Sequence, residues 1–238
     1  MQGEDLSNNP LIIALDTPST FSAVRLVKKL KITGVGFKIG FELFSHAGPR
    51  FVKHVVGHDV RVFLDLKFHD IPNTVARAVD VATKMGVWML NVHCSGGSEM
   101  MKMAREARDA AAASLKITPP LLVGVTFLTS LSDPKEIQIS STVEDYVLGM
   151  AHLAKKSGLD GVVASGQEAA LIRRELGLGF VIVTPGIRPL NSAAGDQKRI
   201  ITPKEALKQG SNYLVVGRPV TETPSPLKAV DDLLTSLS

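Results

Sequence analysis

The chain has 238 residues, 45% of them hydrophobic and 21% charged, a composition typical of globular proteins with a sizeable core. Its 27 lysines and arginines exceed its 23 aspartates and glutamates only slightly and are scattered, which argues against a nucleic-acid-binding surface. The first residues are polar, and no apolar run approaches the ~20 residues of a membrane span. The chain has a single cysteine, Cys94. These features predict a cytoplasmic protein without disulfides or a membrane partner.

Eight short apolar runs, rich in β-branched and aromatic residues, predict strands that are buried on both faces. In chain order they are LIIALD (11–16), GVGFKIG (34–40), RVFLDLK (61–67), VWMLNVHC (87–94), LLVGVTF (121–127), GVVAS (161–165), FVIVTPG (180–186) and YLVVGRPV (213–220). Helical spacing, capping Ser or Thr residues and terminal glycines predict helices between and after them. These helices cover 19–30, 71–85, 97–113, 142–158, 167–177, 202–210 and 225–237.

Strands alternating with helices over about 240 residues predict a (β/α)8 TIM barrel that forms a single domain, residues 1–238. The alternative is a doubly wound open sheet, which usually carries a glycine-rich fingerprint after an early strand, and ALDTPST (14–20) has none. The loop 187–203 after the seventh strand is longer than a usual connection, so it is a candidate lid.

Charged residues gather at the predicted carboxyl ends of the first three strands, where barrel enzymes carry their active groups. Asp16 ends the first strand, Lys38 lies near the end of the second, and Asp65 and Lys67 end the third. Because side chains alternate along a strand, Asp65 and Lys67 share one face and their leucine neighbours face the helices. Gly36 shares a face with Lys38 and is expected to leave room for its ammonium. Two acids and two bases directed at one mouth predict an active site.

Lys67 lies between two carboxylates in the sequence, Asp65 on its own face and Asp70 just downstream. Nearby negative charge favours the ammonium form, whereas Schiff-base chemistry needs a lysine with a lowered pKa. We therefore interpret Lys67 as an acid that stabilises developing negative charge and donates a proton to a carbanion.

The loops after the seventh and eighth strands are those with which such barrels often bind phosphate. Gly186 and Gly217 let backbone N–H groups approach an anion, and Arg188 and Arg218 offer fork-shaped donors suited to phosphate oxygens. Gln197 can add neutral donors. The pattern predicts a phosphate site on these two loops.

Polar residues also lie at the predicted ends of the next three strands, where active groups of a barrel collect. His93, Thr126 and Ser165 lie at or near the ends of the fourth, fifth and sixth strands. We expect His93 to be a satisfied polar residue, and Cys94 to be a small buried apolar residue and not a nucleophile.

The segment DLKFHDIPNTV (65–75) resembles the signature of the orotidine 5'-phosphate decarboxylase family, in its bacterial branch. Further segments that resemble the family follow the same order along the chain. They are ALD (14–16), FKIG (37–40), VTFLTS (125–130), TPGIRP (184–189), AAGDQKR (193–199) and VGRP (216–219). The resemblance implies a homodimeric enzyme that converts orotidine 5'-monophosphate to UMP and carbon dioxide, the last step of pyrimidine nucleotide synthesis, without metal or cofactor.

By the same resemblance, Lys67 is the proton donor within an alternating network of charges. The network consists of Lys38, Asp65, Lys67 and Asp70, and Asp16 with Lys38 binds the ribose. Asp70, Ile71 and Thr74 reach into the active site of the partner subunit. Thr129 lies by the pyrimidine, where Ser130 and Ser132 are alternatives. Pro185 and Arg188 lie beside the ligand, and Gln197, Gly217 and Arg218 hold the phosphate.

Two alternative functions remain at this point. One is a magnesium-dependent enzyme of the same superfamily, similar to 3-keto-gulonate-phosphate decarboxylase or hexulose-phosphate synthase, which shares the D-x-K-x-x-D pattern. Those relatives carry a glutamate at the end of the second strand, where Lys38 would repel a cation. The other is a non-catalytic nucleotide-binding barrel, against which the complete set of polar residues argues.

Overall fold

The computed structural model describes residues 9–131, 133–188 and 201–237. Eight parallel strands in this part of the chain close into a barrel in sequence order, so the predicted (β/α)8 fold is confirmed and an open sheet is excluded. The strands are β1 (Leu11–Ala14), β2 (Gly36–Ile39), β3 (Val62–Phe68), β4 (Met89–His93), β5 (Leu121–Val125), β6 (Gly161–Val163), β7 (Val181–Thr184) and β8 (Tyr213–Val216).

The helices surround the barrel, and amphipathic spacing buries one face of each long helix against the strands. They are α1 (Thr20–Leu30), α2 (Phe41–Val56), α3 (Pro72–Thr83), α4 (Gly97–Leu115), α5 (Val143–Lys156), α6 (Gly166–Leu176), α7 (Pro203–Lys208), α8 (Arg218–Thr221) and α9 (Pro226–Leu237). No helix in the described ranges is both long enough and apolar enough to cross a membrane.

Two of these helices were not predicted from the sequence. Helix α2 contains Gly48 at φ 65° and ψ −170°, followed by Pro49, so its backbone is kinked in the middle and its sequence pattern is interrupted. Helix α8 occupies residues that were assigned to the end of the eighth strand, because β8 stops at Val216. Arg218 therefore begins a helix and does not end a strand.

Apolar side chains fill the barrel interior, and a larger outer core lies between strands and helices. Along β3, Phe63 belongs to the inner cluster, whereas Leu64 and Leu66 belong to the outer one. This alternation agrees with the predicted facing of β3 and directs Asp65 to the inside. The inner cluster consists of Ile12, Ala14, Phe63, Met89, Val123, Val183 and Val215, with partly buried neighbours packed against it.

The amino ends of the strands are closed by a stacked group of large side chains. The Arg61 guanidinium lies 4.7 Å from the centre of the Trp88 ring, and Tyr213 meets Trp88 edge to face at 4.9 Å. Arg61 also donates to the backbone carbonyls of Asn9 and Gly34. These contacts seal the end of the barrel opposite to the predicted site.

Candidate active site

A cavity of about 600 Å3 opens at the carboxyl ends of the strands. Ten of the residues predicted to form the site line it: Asp16, Lys38, Asp65, Lys67, Thr129, Pro185, Gly186, Arg188, Gly217 and Arg218. These residues come from segments that are far apart in sequence, and the closed barrel brings them to one mouth. Gln197 and Ser132 lie outside the described residues.

Charged side chains at the base of the cavity alternate in sign. The Lys67 Nζ lies 2.8 Å from Asp65 Oδ1, and the Lys38 Nζ lies 3.4 Å from Asp65 Oδ2. The Lys38 Nζ also donates to Asp16 Oδ1 at 3.1 Å. Each ammonium thus faces a carboxylate, and the four charges cancel within one chain.

The electrostatic environment keeps Asp65 and Lys38 charged. Burial on its own would raise the pKa of the Asp65 carboxyl, but Lys38, Lys67 and the hydrogen bonds from Lys67 and Asn91 outweigh it and lower that pKa. Burial likewise opposes charge on Lys38, yet Asp65 and Asp16 together raise the Lys38 pKa above its usual value. Both groups are therefore ionised at neutral pH.

The space around the Lys38 ammonium is provided by Gly40, and the expectation for Gly36 was wrong. A Cβ atom at Gly40 would stand 3.0 Å from Lys38 Nζ, whereas the atoms nearest to a Cβ at Gly36 belong to Ile12 and Arg61. A Cβ atom at position 40 would require the ammonium to shift by a few tenths of an ångström.

Asn91 joins the network from β4 and was not predicted. Its Nδ2 donates to Asp65 Oδ1 at 2.7 Å, and its Oδ1 accepts the backbone N–H of Lys67 at 2.7 Å. The asparagine is completely buried. The available signal was a polar residue within the apolar run VWMLNVHC, which a strand buried on both faces accommodates only with partners.

Phe41, the first residue of α2, is a second neighbour of the site that the sequence reasoning missed. Its ring centre lies 5.5 Å from the Lys67 Nζ, within the range of a cation–π contact, although more than half of the side chain is exposed. Nothing in the local pattern distinguishes Phe41 from an ordinary exposed apolar residue at a helix start.

The glycines and arginines of the last two loops line the same cavity. Gly186 has a φ of 76°, a left-handed conformation that favours glycine, and Arg188 is buried with its backbone N–H bonded to the carbonyl of Ile201 at 3.0 Å. That bond ties together the two ends of the predicted lid, whose residues 189–200 are not described. Gly217 and Arg218 face the same cavity from the end of β8.

The loop after β5 supplies the remaining wall. Thr129 and Ser130 both line the cavity, beside Leu128. Either residue can therefore contact a ligand in the cavity.

Asp70, Ile71 and Thr74 do not line the cavity of their own chain. They lie exposed between β3 and the first turn of α3, and Ile71 is 68% exposed. The Asp70 Oδ1 accepts the N–H of Ile71 at 2.7 Å. This position fits the prediction that the three residues act in a neighbouring subunit.

The other polar strand ends have structural partners or surroundings. Thr126 donates to the Val163 carbonyl at 3.0 Å, and Ser165 caps α6 by accepting the N–H of Gln167. The half-buried His93 ring lies 5.2 Å from the His69 ring, and burial, then His69, then Lys67 lower the pKa of His93. Burial raises the pKa of the Cys94 thiol to about 12, so it stays protonated.

The fold and the cavity together define a (β/α)8-barrel enzyme with an acid–base network at the carboxyl ends of its strands. Residues 9–233 match the model of the Orotidine 5'-phosphate decarboxylase / HUMPS family. The chain therefore belongs to that family.

Similar proteins cover almost the whole chain. Orotidine 5'-phosphate decarboxylases from Pseudoalteromonas translucida and Idiomarina loihiensis are each 50% identical over 229 residues, which is 95% of this chain and 96% and 97% of theirs. The crystal structure of orotidine 5'-phosphate decarboxylase from Lactobacillus acidophilus is 36% identical, with a TM-score of 0.85 over 96% of this chain and 99% of that one. An uncharacterized conserved protein from Geobacillus kaustophilus is 37% identical, with a TM-score of 0.84 over 96% of this chain and all of that one.

Proposed function

We propose that this protein decarboxylates orotidine 5'-monophosphate to UMP and carbon dioxide, the last step of pyrimidine nucleotide synthesis. The observation that carries the proposal is the Lys67 ammonium, held 2.8 Å from the Asp65 carboxylate in a cavity that Arg188 and Arg218 also line. A proton donor and anion-binding donors that line one cavity suit a nucleotide that reacts at its pyrimidine ring.

Phosphate binding is assigned to the last two loops. Arg218 and Arg188 supply charged donors, and Gly217 exposes its backbone to the cavity. We assign Gln197 to the same anion on the grounds of the sequence resemblance. Asp16 and Lys38, on the first two strands, would hold the ribose hydroxyls, and Thr129 and Pro185 would flank the pyrimidine.

The chemical step needs an acid that acts on carbon. When the bond between C6 and the carboxylate breaks, the electron pair stays on C6 in the plane of the ring, where conjugation stabilises it little. Lys67 Nζ stabilises that charge and transfers its proton to C6, which yields UMP and carbon dioxide and leaves a neutral amine that water reprotonates.

Asp65 has two effects in this step. Its lowered pKa keeps it ionised, so its carboxylate can hold the Lys67 side chain in place for the proton transfer. It also lies next to the position of the departing carboxylate. We assign Asp65 the first role, because the Oδ1–Nζ contact at 2.8 Å directly supports it.

We propose that the reaction uses neither metal nor cofactor. A divalent cation would need the carboxylates of Asp16 and Asp65, and the Lys38 ammonium already lies 3.1 Å from one and 3.4 Å from the other. This arrangement disfavours the magnesium-dependent enzymes of the superfamily, which bind a cation at this edge of the barrel.

We further propose a homodimer with shared active sites, in which Asp70, Ile71 and Thr74 of one chain complete the cavity of the other. Their exposure and their position outside their own cavity support this arrangement. Residues 1–238 would form one domain, since β1 and β8, from opposite ends of the described chain, pair to close the barrel. A cytoplasmic location fits the single buried thiol, Cys94.

The experiment follows orotidine 5'-monophosphate by ultraviolet absorbance, with and without a chelator. We expect turnover that the chelator leaves unchanged, and we expect Lys67→Ala to lower kcat by about 10²–10⁴-fold. Lys84→Ala, which removes an exposed lysine paired with Asp80 on α3, serves as the control and should retain full activity. A requirement for added magnesium would favour the alternative enzyme class, and unchanged activity in Lys67→Ala would remove Lys67 from its role.

A further inference from the structure

Asn91 is the one fully buried amide in the network of Lys38, Asp65 and Lys67, among the described residues. It is on β4, one strand beyond Asp65 and Lys67, and it does not line the cavity. A bound nucleotide would therefore not touch it. Any effect of Asn91 on the reaction must pass through the residues that it holds.

The orientation of the Asn91 amide is fixed by chemistry. The Lys67 backbone N–H can only donate, so the atom that faces it at 2.7 Å must be the amide oxygen. The amide nitrogen then faces Asp65 Oδ1 at 2.7 Å, and an ionised carboxylate can only accept. Asn91 thus meets one donor and one acceptor with the complementary ends of a single rigid group.

The backbone at Lys67 is irregular and needs this partner. The register between β3 and β4 shifts between Leu64 and Phe68, so the ladder of backbone hydrogen bonds is interrupted there. Lys67 has a φ of 45°, a left-handed conformation that is unfavourable for a residue with a side chain. The Asn91 oxygen takes the place of the missing strand carbonyl and holds the Lys67 N–H.

We infer that Asn91 is a positioning residue that fixes the Lys67 backbone and the Asp65 carboxylate relative to each other. The inference rests on the proposed function and extends it to the neighbouring strand. The Asn91 amide holds the Lys67 backbone N–H directly. It also holds Asp65 Oδ1, the atom that accepts the Lys67 ammonium at 2.8 Å, so both the backbone and the ammonium of Lys67 depend on this one amide. Small displacements of such groups lower turnover strongly.

Two substitutions separate positioning from simple packing. Asn91→Asp keeps the shape but directs a carboxylate at Asp65, and it regains the missing donor only when it is protonated. Asn91→Ala loses both hydrogen bonds at every pH. We expect both variants to lower kcat by about tenfold or more while changing KM by less than about threefold, because the bound nucleotide is not contacted.

The decisive readout is the pH profile of kcat relative to the parent enzyme. As the pH falls from 8 to 5, the kcat of Asn91→Asp relative to the parent should rise by about tenfold, since two adjacent carboxyl groups share a proton readily. The relative kcat of Asn91→Ala should stay constant over the same range. Circular dichroism at each pH verifies that the variants are folded. A flat profile for Asn91→Asp, or parallel profiles for the two variants, would overturn the inference.

The matched control is Asn9, at the start of β1 on the far side of the barrel. It is also buried, its Oδ1 accepts the Leu11 N–H at 2.9 Å, and its Nδ2 donates to the Thr33 carbonyl at 2.8 Å. Asn9→Ala and Asn9→Asp should lower stability without a pH-dependent change in kcat. The same effect at both asparagines would indicate a structural role only.

A crystal structure of Asn91→Ala tests the inference without reference to turnover. We expect the Lys67 Nζ to Asp65 Oδ1 distance to exceed about 3.5 Å, outside hydrogen-bond range. An unchanged distance and an unchanged φ at Lys67 would refute positioning even if the parent enzyme acted on a different substrate. Inactivity of the parent toward orotidine 5'-monophosphate, with the expected displacement, would instead refute the proposed function alone.

Discussion

Asp65 is the residue on which the charges of the site converge. One oxygen accepts Lys67 Nζ and Asn91 Nδ2, and the other faces the Lys38 ammonium at 3.4 Å. A buried carboxylate is stable only when its charge is compensated and its lone pairs are used, and Asp65 meets both conditions. Removing it would leave two ammonium groups without a common partner.

Arg218 is predicted to contribute to affinity and not to the chemical step. With Arg218→Ala, we expect kcat/KM for orotidine 5'-monophosphate to fall by about tenfold or more, because a charge-assisted contact to the phosphate is lost. Binding of the unphosphorylated nucleoside should change little. Inhibition constants for UMP and uridine, measured against both proteins, give the comparison.

Arg174→Ala is the control for Arg218, since Arg174 is an exposed arginine on α6 paired with Glu175. It should leave both inhibition constants unchanged. Equal weakening of UMP and uridine by Arg218→Ala would contradict the assignment of Arg218 to the phosphate.

At the scale of elements, the segment that runs from β3 into α3 divides its residues between two locations. Asp65 and Lys67 point into the cavity, whereas Asp70 and Ile71 lie exposed just before Pro72 begins the helix. Proline at the first helical position suits the start of α3 here, because it has no N–H to leave unpaired and its fixed φ is already helical. One short segment can therefore serve its own site and a neighbour's.

Mixing subunits tests this division. If the sites are shared, a dimer of one Lys67→Ala chain and one Asp70→Ala chain has one site with both residues intact and one with neither. Equal mixing of the two inactive variants should then restore about a quarter of the parent activity, since half of the dimers are mixed and half of their sites are complete.

Subunit exchange must be demonstrated separately, for example with differently tagged chains. Absence of recovery in samples that contain mixed dimers would argue against shared sites. Each variant alone, carried through the same procedure, gives the baseline.

The elements that could be predicted from sequence are those that depend on local pattern. The apolar runs located all eight strands, and alternation along β3 correctly separated Asp65 from Leu64. Helix α2 was missed because Gly48 and Pro49 interrupt its pattern while tertiary packing maintains the helix. Asn91 was missed because its partners lie 24 and 26 residues away, a separation that no local pattern reports.

At the scale of the whole molecule, Asp65 links folding to pH. Its folded pKa lies below the usual value of 3.8, so its stabilising contribution is complete above that value and is lost as the pH falls through the folded pKa. The free energy of unfolding of the parent should therefore exceed that of Asp65→Asn most near pH 7, and the difference should narrow below about pH 4.

Urea denaturation of both proteins between pH 3 and pH 7 measures this difference. Asp231→Asn, an exposed carboxylate on α9, is the control for loss of one negative charge. A difference between parent and Asp65→Asn that stays constant over this range would show that Asp65 does not contribute through its ionisation.

The sealed amino end of the barrel constrains how products leave. Arg61, Trp88 and Tyr213 close that end, and the side chains around Phe63 fill the interior above them. Carbon dioxide formed beside Lys67 has no passage through these packed side chains. It must therefore leave through the same mouth of the cavity that admits the nucleotide.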